Sequence, residues 1–95
     1  MPELKIFRYE IPVDDRWHEM AVGDILHVAA RRPDVVEFWA FDRIGLSRWL
    51  RVYGTGQPIT DGIVAHHGTV ITADGQLVWH LLQASWVSGE IVRAE

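Results

Sequence analysis

Ala65-His66-His67-Gly68-Thr69-Val70-Ile71-Thr72-Ala73 and Gln76-Leu77-Val78-Trp79-His80-Leu81-Leu82-Gln83 flank the dipeptide Asp74-Gly75, and this stretch decides the fold class. Both arms are rich in β-branched and aromatic residues, which fit a pleated, half-buried surface. Asp-Gly tolerates left-handed backbone, so the spacing predicts a hairpin closed by a two-residue type I′ turn. Facing positions then sum to 149, which sets Val70 opposite Trp79, Thr69 opposite His80 and Ile71 opposite Val78.

Strand signals continue on the N-terminal side. Leu4 to Ile11 alternates, with Phe7, Tyr9 and Ile11 on one face and Arg8 and Glu10 on the other. Pro12 ends regular pairing or sits at an edge, and Val13-Asp14-Asp15 reads as a turn that hydrogen-bonds its own backbone before a strand within Arg16 to Val22. After the break at Gly23-Asp24, the run Ile25-Leu26-His27-Val28-Ala29-Ala30 predicts a strand covered on both faces. A short helix is its competitor, since alanine and leucine favour one. The breaker Arg32-Pro33-Asp34 separates that run from Val35 to Asp42, and Ile44-Gly45-Leu46 separates Val35 to Asp42 from Ser47 to Tyr53. The three runs read as a meander of antiparallel hairpins. Gly54-Thr55-Gly56-Gln57-Pro58 is a loop and Thr60-Asp61-Gly62 a turn. The expected fold is all-β: one domain over 1–95, a small antiparallel sandwich or barrel of six to seven short strands, with 86–95 as a frayed tail.

Composition narrows the function classes. Of 95 residues, 48% are apolar and 23% charged, an ordinary globular balance, and five are tryptophan. The absence of cysteine excludes disulfides, thiolate zinc sites and cysteine nucleophiles. No stretch reaches the roughly 20 apolar residues of a membrane span, and Met1-Pro2-Glu3-Leu4-Lys5 lacks the pattern of a signal peptide, so a cytoplasmic location is expected. The formal charge of −4 carries no global footprint for nucleic acid. Arg31 and Arg32 fall at one end of the expected meander and Arg43 and Arg48 at the other, and Trp39 and Trp49 are expected to pair across strands in the core. Nucleic acid is therefore not the expected partner.

Among candidate sites, the five histidines come first. His66 and His67 are adjacent on a strand and diverge, whereas His67 and His80 fall diagonally on one face of the last hairpin. A metal site there needs a third ligand such as His18 or Asp14, and no spacing matches a metal motif. The dipeptides Trp17-His18 and Trp79-His80 each place tryptophan and histidine on opposite faces of a strand. With Gln57 they suggest a ligand-binding set, Trp17, His18, Gln57, Trp79 and His80, lining an aromatic pocket with a polar rim. The glycine-rich 54–58 loop lacks the lysine and following helix of a phosphate loop. Ser47, Ser85 and Ser88 lack a nucleophile-elbow context. No catalytic residue, metal or cofactor is assigned.

The segments Arg8-Tyr9-Glu10-Ile11-Pro12-Val13-Asp14-Asp15-Arg16-Trp17-His18, Leu26-His27-Val28-Ala29, Val36-Glu37-Phe38-Trp39-Ala40, Arg51 to Ile59 and Val78-Trp79-His80-Leu81 carry a resemblance. Across Lys5 to Gln83 the chain resembles an uncharacterised family of short proteins from actinobacteria and their phages, classed as a domain of unknown function. That resemblance implies a phage-related origin and the cytoplasm of a bacterial host, and it brings no activity or site roles. The expected function is a non-enzymatic module that binds a host or phage protein, with edge strands that also allow a homo-oligomer. A small-molecule or nucleotide-sequestering protein is the alternative. A metal-dependent enzyme built on His67 and His80 and a virion component are further readings.

Overall fold

A computed structural model describes residues 3–42 and 47–85. The described residues form seven strands and no helix: β1 (Ile6–Pro12), β2 (His18–Met20), β3 (Ile25–Arg32), β4 (Val35–Phe41), β5 (Arg48–Gly54), β6 (Ile63–Ile71) and β7 (Val78–Ala84). They build two antiparallel sheets, one in the order β1-β4-β3 and the other β2-β5-β7-β6. The all-β expectation holds as a sandwich, and the barrel alternative falls away because the sheets stay separate.

Alternation explains the two layers. Val36, Phe38 and Ala40 of the central strand β4 point inward with Ile11 and Val28, and meet Leu50, Val52 and Leu81 of the second sheet. Each strand in this set hides one face only, which is why apolar and polar residues alternate along it. On β1 the expected faces appear, with Ile11 fully buried and Tyr9 stacked on Phe38 at 5.3 Å, although Phe7 near the strand's start is exposed.

Two expectations about connectivity are corrected. β3, β4 and β5 are not a meander: β3 and β4 form a hairpin around Pro33-Asp34, but β5 crosses to the other sheet, between β2 and β7. A third strand beside β4 in the same layer would leave Leu50 and Val52 sharing one uncovered apolar face with Phe38; crossing over lets the two rows cover each other. Trp39 and Trp49 therefore lie in different sheets and do not pair. Nor is β3 covered on both faces; it is an edge strand with Leu26 and His27 exposed. Register shifts between Ile25 and His27 and between Ala29 and Arg32 break its alternation, so a one-sided strand reads as an unbroken apolar run.

The last hairpin keeps the expected register at Thr69–His80, Val70–Trp79 and Ile71–Val78. Its turn differs from the expected type I′. Thr72 N–H donates to the Leu77 carbonyl at 2.9 Å and Gly75 N–H to the Thr72 carbonyl at 2.8 Å, leaving Ala73 to Gln76 as the loop. Gly75 alone is left-handed there, at φ 76°. The Asp74 carboxylate accepts from the Thr72 hydroxyl (2.6 Å) and the Gln76 N–H (3.0 Å), bonds that hold its pKa below the ordinary range. One extra residue on each arm leaves the sum of facing positions unchanged, so the register survives a different turn.

A close approach between the layers sits at Gly68. A Cβ there would lie 2.8 and 2.9 Å from the buried Val28 side chain, so only glycine fits without displacement. Gly68→Ala is expected to cost about 1–3 kcal/mol of stability by overpacking, and Val28→Ala in the same chain to return part of it. Urea denaturation of the two single variants and the double variant measures both effects.

Candidate functional site

Parity along β5 sends Leu50 and Val52 inward and Trp49, Arg51 and Tyr53 to the outer face of the four-stranded sheet. Tyr53 is nevertheless only 2% exposed, because two loops fold over it. In the first loop Asp15 adopts φ 60°, a left-handed conformation that aspartate tolerates better than most residues. Its carboxylate accepts from Gln57 Nε2 at 3.1 Å and faces Arg51 Nη2 at 3.7 Å. Trp17 Nε1 donates to Asp61 at 2.9 Å, which ties the first loop to the second. The Arg51 guanidinium lies 4.4 Å over the Tyr53 ring, and Trp17 meets that ring edge-on at 6.0 Å. Burial above all holds the Tyr53 phenol neutral; Arg51 opposes that shift, while Asp61 and Asp15 reinforce it.

Beside Tyr53 opens a cavity of about 290 Å³. Tyr53 and Leu82 form its floor, His66 and His80 one wall, and the backbone of Gly54 to Gln57 with Ile59 its rim. The rim turn is braced by Gln57, whose N–H donates to the Gly54 carbonyl (3.1 Å) and whose Oε1 accepts from the Gly54 N–H (3.0 Å). Gly56 allows that turn with φ 88°.

A register shift fills the histidine wall. His66 pairs with Leu82 and Gly68 with Leu81, so His67 is the extra residue of a bulge. This corrects the expected His67–His80 neighbourhood. The bulge turns His67 inward, where its Nε2 bonds the Gln83 Oε1 at 2.8 Å, and brings the His66 ring to 6.4 Å from that of His80. Thr69 Oγ1 bridges the two rings, at 2.8 Å from His66 Nε2 and 2.8 Å from His80 Nδ1, while Thr55 Oγ1 lies 2.7 Å from His80 Nε2. A neutral His80 satisfies both hydroxyls by donating to one and accepting from the other. Neither partner is a carboxylate. The chain Thr55–His80–Thr69–His66 fixes the two rings along the cavity wall.

The five residues expected to share a pocket are divided. Gln57 and His80 line the cavity, and Trp17 stands across Tyr53 beside a second hollow of about 320 Å³ with Asp15, Trp49, Arg51 and Asp61. His18 lies on the edge strand β2 with its Nε2 3.0 Å from Asp14. Trp79 faces the core and donates from Nε1 to the Pro33 carbonyl at 3.3 Å. Sequence reasoning missed Tyr53, His66, Thr55 and Leu82; the bulge hid His66, and Tyr53 carries no mark that distinguishes it from a core residue. Among the described residues no three histidine, aspartate or glutamate side chains gather as a metal site, and no helix is long and apolar enough to cross a membrane. Arg48 is spent internally, on the Val22 and Gly23 carbonyls, Gln83 and Asp24. Arg43, Ile44-Gly45-Leu46 and the 86–95 tail lie outside the described residues.

Residues 2–88 match the family model described as Domain of unknown function (DUF7352). The chain belongs to that family. Neither a curated protein nor a solved structure matches it.

Gln83 Oε1 accepts from both His67 and Arg48, which requires His67 Nε2 to carry the proton. Burial depresses the His67 pKa below 6.5; the Gln83 bond opposes this, and Arg48 and His66 add to it. The unfolded chain binds a proton there first, so this contribution to stability is whole above pH 6.5 and is lost on acidification below it. In urea titrations at pH 7.5 and 5.5, His67→Gln is expected to lose less stability between the two than the unmodified protein.

Proposed function

We propose that this DUF7352 protein is a non-enzymatic binding module that grips a host or phage protein by an uncharged, ring-bearing side chain seated in the Tyr53–Leu82 cavity. One observation carries the reading: the cavity lining and the strands β6 and β7 beside it carry no Asp, Glu, Lys or Arg, and the charges nearest on the same face, Arg51 and Asp15, face each other at 3.7 Å outside that lining. The titratable groups of the lining are the imidazoles of His66 and His80 and the Tyr53 phenol. Val64, His66, Thr69 and Ile71 are the exposed positions of β6, with Val64 at 59% and Ile71 at 62%. Ile59, 51% exposed, stands at the cavity rim. Partner sites are recognised by such a patch: a depleted charge density and a central pocket for one aromatic anchor, surrounded by contacts that exclude water.

Size and charge favour this over nucleotide sequestration. A volume of about 290 Å³ is at the lower end of small-molecule sites and suits a single ring. A nucleotide's phosphates call for Lys or Arg, and the lining contains neither. The hydroxyl and imidazole groups on the wall suit a phenol or indole, whose polar tip seeks a hydrogen bond when buried.

The test uses side-chain analogues. p-Cresol and 3-methylindole are expected to shift the NMR signals of Tyr53, Gly54, His66 and His80 saturably. Ile59→Trp, which fills the mouth from an exposed position, is expected to weaken both by at least about tenfold, or 1.4 kcal/mol. A protein captured from host lysate by the unmodified chain should be lost with that variant. Signals that never saturate, or a partner retained by Ile59→Trp, would sink the reading.

A further inference from the structure

The opposite outer face, on the three-stranded sheet, has a different chemistry. Glu37 sits at the centre of β4, pointing away from the core row Val36–Phe38, and yet is only 4% exposed. Two arginines from the flanking strands cover it. Arg31 on β3 donates from Nε to Oε1 (2.7 Å) and from Nη2 to Oε2 (2.8 Å), and Arg8 on β1 donates from Nη1 to Oε2 (2.8 Å). A two-toothed Arg–carboxylate pair of this kind fixes the guanidinium plane as well as its position.

A second carboxylate is placed differently. Glu10 is 45% exposed along its side chain, and a single oxygen, Oε2, takes Arg8 Nη1 at 2.9 Å and Arg32 Nη2 at 3.0 Å. Together Arg8, Arg31, Arg32, Glu10 and Glu37 line a hollow of about 360 Å³ in which cations exceed anions by one. Only one nitrogen each of Arg8 and Arg32 is used in these pairs, so their remaining N–H donors are available to a ligand with several oxygens.

We infer that this hollow is an oxyanion site for a phosphate group, free or as a monoester, in which the Glu10 carboxylate holds the ligand's place until the ligand displaces it. Glu37 is the permanent element: it orients Arg8 and Arg31 in the absence of ligand, so less side-chain freedom is lost on binding. Glu10 is the exchangeable element, since it is half-exposed, offers one oxygen to two guanidinium groups and bears a single charge. A phosphate carries about 1.5–2 negative charges and three acceptor oxygens, and so outmatches it.

Inorganic phosphate is titrated at constant ionic strength against the full chain, with sodium chloride as the matched control, reading the arginine Nε–H signals of Arg8, Arg31 and Arg32 by NMR. Saturable shifts are expected with phosphate and absent with chloride. Glu10→Gln removes the competing charge and is expected to tighten binding about fivefold, whereas Arg32→Gln weakens it about fivefold or more. Both positions are exposed, and a melting curve checks that each variant folds. Tighter binding of phenyl phosphate than of inorganic phosphate identifies a monoester as the source, and the reverse identifies free phosphate. Shifts that track ionic strength alone, or a Glu10→Gln variant that binds no more tightly than the unmodified chain, would overturn the assignment.

Discussion

Packing of the inward row of β4 against the second sheet is the constraint on which the rest depends. Val36, Phe38 and Ala40 lie between Ile11 and Val28 in their own layer and meet Leu50, Val52 and Leu81 across the interface. A chain this short can bury only one such interface, so each strand has a single hidden face. Every other residue of every strand is then free to carry something besides packing. Chain crossing from β4 to β5 follows from the same need, because rows of one layer are covered only by rows of the other.

The two outer faces use that freedom in opposite ways. On the three-stranded sheet, Glu37 is drawn below the surface by arginines of both neighbouring strands, and the Arg31 bonds above all keep its carboxylate well below its ordinary 4.5 against the cost of burial. The hollow it lines is otherwise formed by Arg8, Glu10, Arg31 and Arg32, all charged. On the four-stranded sheet the strands β6 and β7 contain no Asp, Glu, Lys or Arg, and the ion pair nearest the cavity is Asp15–Arg51, braced by Gln57. A solvated, ionic side and an uncharged, concave side on one small domain separate two kinds of recognition, since the features that favour one discourage the other.

Irregularities in the strands do most to shape the uncharged side. The bulge at His67 exchanges the faces of two adjacent histidines, sending one to Gln83 in the interior and the other to the Thr69–His80 wall. The left-handed Asp15 and Gly56 let two loops turn over Tyr53, so an outward-facing tyrosine becomes the floor of a hollow. The bulge at His67 leaves the register near the turn intact, because it precedes Thr69 to Ile71 on β6.

Fold class, strand positions, the alternating faces of β1 and the Thr69–His80 register were legible in the sequence, because side-chain direction along a strand is a local property with a period of two. The Asp14 turn was legible for the same reason, its carboxylate accepting the Arg16 N–H two residues on at 3.2 Å. The cavity was only half legible, with Gln57 and His80 found and Tyr53 and His66 missed. Residue type alone determined which segments extend, where they break and that one face of each must be hidden. Tertiary structure alone decided which strand crosses to the other layer, where a bulge reverses two histidines and which loop roofs which side chain. These are settled by contacts between residues far apart in the chain, which no local periodicity records.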